Sequence, residues 1–209
     1  MWRVISFRRN QAVLRGLARR FARSRRGVAA VEFAFVLPIM LTVYFGIVEV
    51  AQGVMIDRKV TDLNRALADL TAQGTSISDT EMSNIFDAAQ TIMAPFTKVA
   101  PKMAIVSVVI DSSGTAKVCW SAQRNSTVPK RGDTITLPAN LKIASTSLIM
   151  ATASYNYTPV GYLVTGSITI GNTPIYMRPR VGKTGGTGNI EQVERSSTSS
   201  PAPMCPGFS

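Results

Sequence analysis

The chain has 209 residues, with 23 Lys+Arg, 12 Asp+Glu and no histidine, a formal charge of +11. That length fits one domain of ordinary size plus accessory segments, and a hydrophobic content of 45% excludes a disordered polyelectrolyte. Without histidine neither a Ser-His-Asp nor a Cys-His pair can be built, and two cysteines cannot make a four-cysteine zinc site. The expectation is a non-enzyme with no cofactor and no metal.

The charge is not spread out. Residues 1–27 hold nine arginines (Arg3, Arg8, Arg9, Arg15, Arg19, Arg20, Arg23, Arg25, Arg26) and no acid. The rest of the chain sets 14 basic residues against all 12 acids, leaving +2. A basic face for nucleic acid is therefore not expected. Residues 1–27 read instead as a basic cytoplasmic leader ahead of an apolar stretch. From Phe33 to Val48 no residue is charged, and only Thr42 and Tyr44 carry polar side-chain groups. As a helix, Val28 to Val48 is about 31 Å long, which matches a hydrocarbon core of about 30 Å. A buried soluble helix or a signal-peptide core would share the composition, but the arginines placed directly before the span favour a membrane helix, with lipid as a partner. Beyond it Asp57, Arg58, Lys59 and Asp62 nearly cancel. The positive-inside rule then puts the N-terminus in the cytoplasm and the chain from residue 50 onward outside it. Glu32 lies near the cytoplasmic end of the span. A carboxylate at that depth is either an interfacial group favoured by the helix N-terminus and nearby arginines, or a functional charge.

The helix is expected to continue outside the membrane. Ile56, Val60, Leu63, Leu67 and Leu70 step by alternating fours and threes, one face of an amphipathic stalk over residues 28–72. Ser78 and Glu81 form a capping box for a second helix with an apolar face of Met82, Ile85, Phe86, Ala89, Ile92 and Met93, ended near Pro95. Strands follow at 104–111 and 115–124, joined by the turn Asp111-Ser112-Ser113-Gly114. Two more are expected at 147–158 and 166–178, with Lys130-Arg131-Gly132-Asp133 in a loop. The fold class is α+β: a long N-terminal transmembrane and amphipathic helix, then a small extracytoplasmic domain over 75–180. That domain has an antiparallel sheet of about four strands and a packed helix. Residues 181–209, rich in Gly, Ser and Thr, read as a flexible tail. Gly182-Lys183-Thr184 imitates the end of a phosphate-binding loop, but the earlier glycine would fall at Met177, so that reading is rejected.

Cys119, in a strand, and Cys205, near the C-terminus, are a candidate disulfide, since both would lie where oxidation is permitted. The bridge would tie the tail to the sheet. Two unrelated thiols are the alternative.

The stretch Arg25-Arg26-Gly27-Val28-Ala29-Ala30-Val31-Glu32-Phe33-Ala34-Phe35-Val36-Leu37-Pro38 resembles the start of the TadE/TadG-like family of tight-adherence (Flp-type) pilus assembly proteins. Gly46-Ile47-Val48-Glu49 and the run from Asp57 to Leu70 are also similar, so the resemblance covers about residues 24–70. It implies a minor-pilin or pseudopilin-like component of a bacterial inner membrane, single-pass, with a periplasmic domain. It also implies a candidate prepilin-peptidase site at Gly27 and Val28, with Glu32 as mature position five, pairing with a neighbour's N-terminal amine during assembly. The implied partners are other pilin-like subunits, the pilus assembly machinery and, for the cut, a prepilin peptidase. The chain departs from the usual pilin pattern in having Val28 where many pilins have Phe, and in its long leader. Read alone, residues 1–27 also fit a mitochondrial targeting segment, and the pilin-like junction argues against that. The competing function is a membrane-tethered binding or adaptor module outside any pilus, with Tyr155, Tyr157, Tyr162 and Tyr176 as its contact cluster.

Overall fold

The computed structural model describes residues 26–159, 166–185 and 189–196. The chain divides into two compact units, Met1–Glu49 and Val50–Ser209. One helix, α1 (Arg26–Ala72), contributes residues to both.

From Gly27 to Phe45 the helix is exposed on every side. Positions Val28, Val31, Phe33, Phe35, Val36, Leu37, Ile39 and Met40 all expose their side chains. Pro38 lies inside the helix and removes one backbone donor. Thr42, a turn later, turns its hydroxyl inward and donates to the Pro38 carbonyl at 2.8 Å. Its one strongly polar group is thereby satisfied within the helix, as a hydrocarbon environment requires.

In the second unit α1 becomes one-sided. Ile56, Val60, Leu63 and Leu67 are buried, as their spacing predicts. Leu70 is not, being 37% exposed, and the buried face passes instead through Asn64, Ala68, Thr71 and Ala72. This drift is expected where a helix of 3.6 residues per turn lies on a sheet. After α1 come β1 (Ser76–Ser78) and α2 (Asp79–Thr91). The capping box at α2 forms as the sequence predicts. Glu81 N donates to Ser78 Oγ at 3.2 Å, and the Glu81 carboxylate accepts from Ser78 N at 2.7 Å. The backbone and then the side-chain bond from Ser78 hold the Glu81 carboxyl below its ordinary value. Met82, Phe86 and Ala89 are the buried face.

The main sheet contains β2 (Lys102–Ile110), β3 (Ala116–Arg124), β4 (Thr146–Tyr157), β5 (Ile168–Gly171) and β6 (Ile175–Met177). Its order is β3-β2-β4-β5, with β6 also on β4, and all pairings are antiparallel. The β2–β3 turn closes at Gly114 (φ +82), whose N–H donates to the Asp111 carbonyl at 3.1 Å. Asp111 also accepts from Ser113 Oγ and Thr115 N, and these bonds, the first above all, lower its carboxyl. The strand expected over 166–178 is two strands. Gly171 (φ +93) and Asn172 (φ +81) turn left-handed, and Pro174 has no donor for a ladder. The Lys130–Asp133 segment is a loop, as expected, and its backbone is paired. Gly132 N donates to Val118 O at 2.8 Å and Val118 N to Asp133 O at 2.9 Å, so the loop covers the outer edge of β3.

The flexible tail expected over 181–209 is corrected for its described part. Lys183–Gly185 (β7) pairs with Ile190–Gln192 (β8), and Glu194–Ser196 (β9) pairs in parallel with β1. Ile190 and Val193 are buried in the same cluster as Ile56, Leu63, Phe86 and Ile149. The Trp120 indole donates to the Val193 carbonyl at 2.7 Å. The polar residues of this segment are paired rather than solvated: Lys183 Nζ reaches Glu194 Oε2 at 2.8 Å, and Arg195 reaches Asp79 at 2.5 Å. Residues 186–188 and 197–209 lie outside the description. The architecture is α+β: a long N-terminal apolar helix, then an antiparallel sheet with a packed helix.

Candidate functional site

The candidate residues at the start of α1 share one short stretch of backbone. Arg26, Gly27 and Val28 are the first described residues of α1. The Gly27–Val28 bond is helical here. Among the described residues nothing explains Gly27. A Cβ built on it meets nothing within 4 Å, and its φ is not left-handed. A glycine in a helix costs up to about 1 kcal/mol relative to alanine. Neither packing nor backbone geometry asks for that cost.

Glu32 follows on the same helix and is exposed. It stands four residues after Val28, so the two lie on one face about 6 Å apart along the axis. Between Glu32 and Glu49 every position is uncharged, and most side chains there are exposed. This is the one helix among the described residues long and apolar enough to cross a membrane. It is compatible with a single-pass anchor.

The remaining predicted residues lie elsewhere. Cys119 is buried in β3, 4% exposed, and is disulfide-bonded. Its Sγ lies 3.6 Å from Gln192 Oε1, a contact only, since a disulfide sulfur carries no proton to donate. Cys205 lies outside the described residues, as does Tyr162. The tyrosine cluster is not a single exposed surface. Tyr155 and Tyr157 are buried and belong to the core, while Tyr176 is half-buried and packs on the other face of the sheet. Burial pushes the Tyr176 hydroxyl above its ordinary value. Among the described residues no group of three or more His, Cys, Asp or Glu is placed to hold a metal ion.

Sequence reasoning missed Gln52. It accepts the Tyr157 hydroxyl at 2.9 Å, fastening α1 to the end of β4. Its position in the Ile56–Val60–Leu63 helical series was the available signal.

Comparison with known proteins adds one finding to this geometry. No curated protein and no solved structure matches the chain. Residues 27–68 match the family model described as TadE-like protein. The match starts at Gly27 and ends within the buried face of α1, so the segment similar to that family includes Gly27, Val28 and Glu32.

Proposed function

We propose that the chain is a minor-pilin or pseudopilin-like component of a bacterial inner membrane, acting in assembly of a tight-adherence (Flp-type) pilus and so in surface adhesion. The observation that carries this reading is the TadE-like match over residues 27–68, on a helix whose apolar half is left uncovered by the other described residues. The nine leader arginines argue for an N-terminus in the cytoplasm and a sheet domain in the periplasm. No catalytic step is assigned to the chain.

In this reading Gly27 is the residue before a prepilin-peptidase cut, which supplies a reason for a glycine that the described residues do not ask for. Val28 becomes the N-terminus, and Glu32 meets the new amine of a neighbouring subunit. Opposite charges attract strongly in a medium of low dielectric, and an unpaired carboxylate there is costly. Lateral packing of subunits in the membrane therefore neutralises a charge that one copy holds alone. Cys119 pairs with Cys205, tying the C-terminal segment to β3.

The test is Glu32→Ala in cells, with pili counted by electron microscopy and protein level checked by immunoblot. Filaments should be lost while the protein remains in the membrane. A chain that only tethers a periplasmic binding domain would tolerate the change, so normal pili and attachment would refute assembly. Mass analysis of the assembled protein should show Val28 at the N-terminus, and an intact Met1 would refute cleavage. A non-reducing peptide map should link the peptides of Cys119 and Cys205. Linkage of Cys119 to a second chain would refute the intrachain bridge.

A further inference from the structure

The two outer edges of the main sheet are finished differently. At β3 the adjoining loop takes up the outward backbone groups, through Val118 and through Ile135 N, which donates to the Ala116 carbonyl at 2.9 Å. At the other end of the strand order lies β5. Among the described residues no backbone group pairs with its outer edge. Which groups face outward follows from one bond. Asn172 N donates to the Ala153 carbonyl at 2.7 Å, in register with the pairs running from Ser154↔Gly171 to Tyr157↔Ile168. Bonded and non-bonded pairs alternate along an antiparallel ladder. Ile168 and Ile170 therefore turn their N–H and C=O groups toward β4, and Thr169 turns both of its own outward.

The side chains alternate as well. Ile168 and Ile170 share the sheet face of Tyr157 and Tyr155, their cross-strand neighbours, yet Ile168 stays 45% exposed. Thr169 lies on the other face, where its hydroxyl donates to Asn156 Oδ1 at 3.1 Å. The edge also lacks the usual protection. Exposed edges are commonly blunted by a charge, a proline or a covering segment. From Ile143 to Met177 no residue is charged, and β5 contains no proline. Successive outward N–H and C=O groups are matched by another extended strand, and the absence of charge says which. In a two-fold antiparallel pairing the central residue faces its own copy, so a charge there would meet a like charge. Centred on Thr169, such a pairing sets Thr169 against Thr169 and Ile168 against Ile170, with no charge in either strand. The exposed Ile168 of each copy is then covered by Ile170 of the other.

We propose that β5 is a self-pairing edge. Two copies of the chain join through it as antiparallel strands, Thr169 against Thr169, and the two main sheets become one. The occupant of the edge is a second copy because the strand is complementary to itself in backbone parity, in apolar side chains and in its freedom from charge.

The experiment is disulfide trapping of the full chain in detergent under mild oxidation, with the linked peptides identified by mass spectrometry. Directly opposed residues of a bonded antiparallel pair lie about 5.5 Å apart at Cα, within disulfide reach. Position 168 of one copy and position 168 of the other lie about 8 Å apart, beyond that reach. Thr169→Cys should therefore link to itself. Ile168→Cys and Ile170→Cys should each fail alone and should link to one another when the two variants are mixed. Ser112→Cys, exposed in the β2–β3 turn, should stay unlinked. Adding Thr169→Lys to both members of the mixed pair opposes like charges and should lower its yield about fivefold. A yield at 169 no higher than that at 112 refutes the self-pairing edge. Equal linking at 168, 169 and 170 marks collision without register and refutes it too, as does a mixed-pair yield that Thr169→Lys leaves unchanged.

Discussion

Leu63 and Leu70 are the same residue type on the same helix, seven positions apart, yet one is fully buried and the other 37% exposed. Truncating each to alanine isolates the effect of the face. Leu63 sits in a cluster with Phe86, Ile105, Ile149 and Val193. Leu63→Ala removes three carbons from that interior. At about 0.8 kcal/mol per buried methylene the transfer loss is about 2.4 kcal/mol. Surrounded by helix, sheet and the 189–196 segment, the site cannot collapse fully. The residual cavity brings the total to about 3–5 kcal/mol. Leu70→Ala leaves no closed cavity, and alanine is a slightly better helix former, so its cost should stay below about 1 kcal/mol. The assay is guanidinium unfolding of the full chain in detergent with the disulfide oxidised, followed by Trp120 fluorescence in a Trp2→Phe background. Equal destabilisation by the two substitutions would refute the assignment of the buried face. It would return that face to the simple series ending at Leu70.

Further outcomes follow from individual contacts. Gly171→Ala should destabilise by about 1–3 kcal/mol, from a left-handed φ and from overpacking, because the new Cβ would lie 2.5 Å from Val60 Cγ1 and 2.7 Å from the Ala153 carbonyl. A thermal melt reads it, and an unchanged midpoint would contradict the close approach of α1 to β5. Trp120→Phe leaves the buried Val193 carbonyl without its donor, a loss of about 1–3 kcal/mol. Hydrogen exchange should quicken across residues 189–196, and unchanged protection would refute the anchor. Glu81 is held below its unfolded value of 4.5 by Ser78. A depressed carboxyl stabilises above the unfolded value, and that contribution is lost as pH falls through the folded one. Amide protection in the first turn of α2 should therefore fall on acidification below 4.5, and Glu81→Gln should flatten that dependence. An identical acid profile in the variant would show that the capping box does not titrate.

The parts legible in the sequence were those written in local pattern. A stripe at helical spacing, a Ser-x-x-Glu box and an Asp-Ser-Ser-Gly turn each specify a neighbour within four residues. The structure forms all three, the stripe departing from its simple series only at Leu70. The strands from residue 183 to 196 were not legible, because their burial is disguised by charge. Glu194 is 8% exposed but paired with Lys183. Arg195 donates to the Ile77 carbonyl and to Asp79, residues 118 and 116 positions away. Composition reports such residues as solvated, and only the tertiary fold supplies their partners. The candidate site divides the same way. Gly27, Val28 and Glu32 were readable from one contiguous stretch. The Gln52–Tyr157 pairing exists only once α1 and β4 are brought together.

The parallel pairing of β1 with β9 joins residues 76–78 to residues 194–196. β1 follows α1 directly, yet its partner is among the last segments of the domain to be synthesised. At roughly 5–20 residues per second, the 118 residues between Ile77 and Arg195 take roughly 6–24 s to appear. Throughout that interval Ile56, Leu63 and Leu67 lack the cover of Ile190 and Val193. The exposed stripe of α1 is then adhesive toward any other incomplete chain beside it. Fidelity of folding for this protein is set by how sparsely nascent copies are spaced, or by whatever shields the stripe until residue 196 arrives.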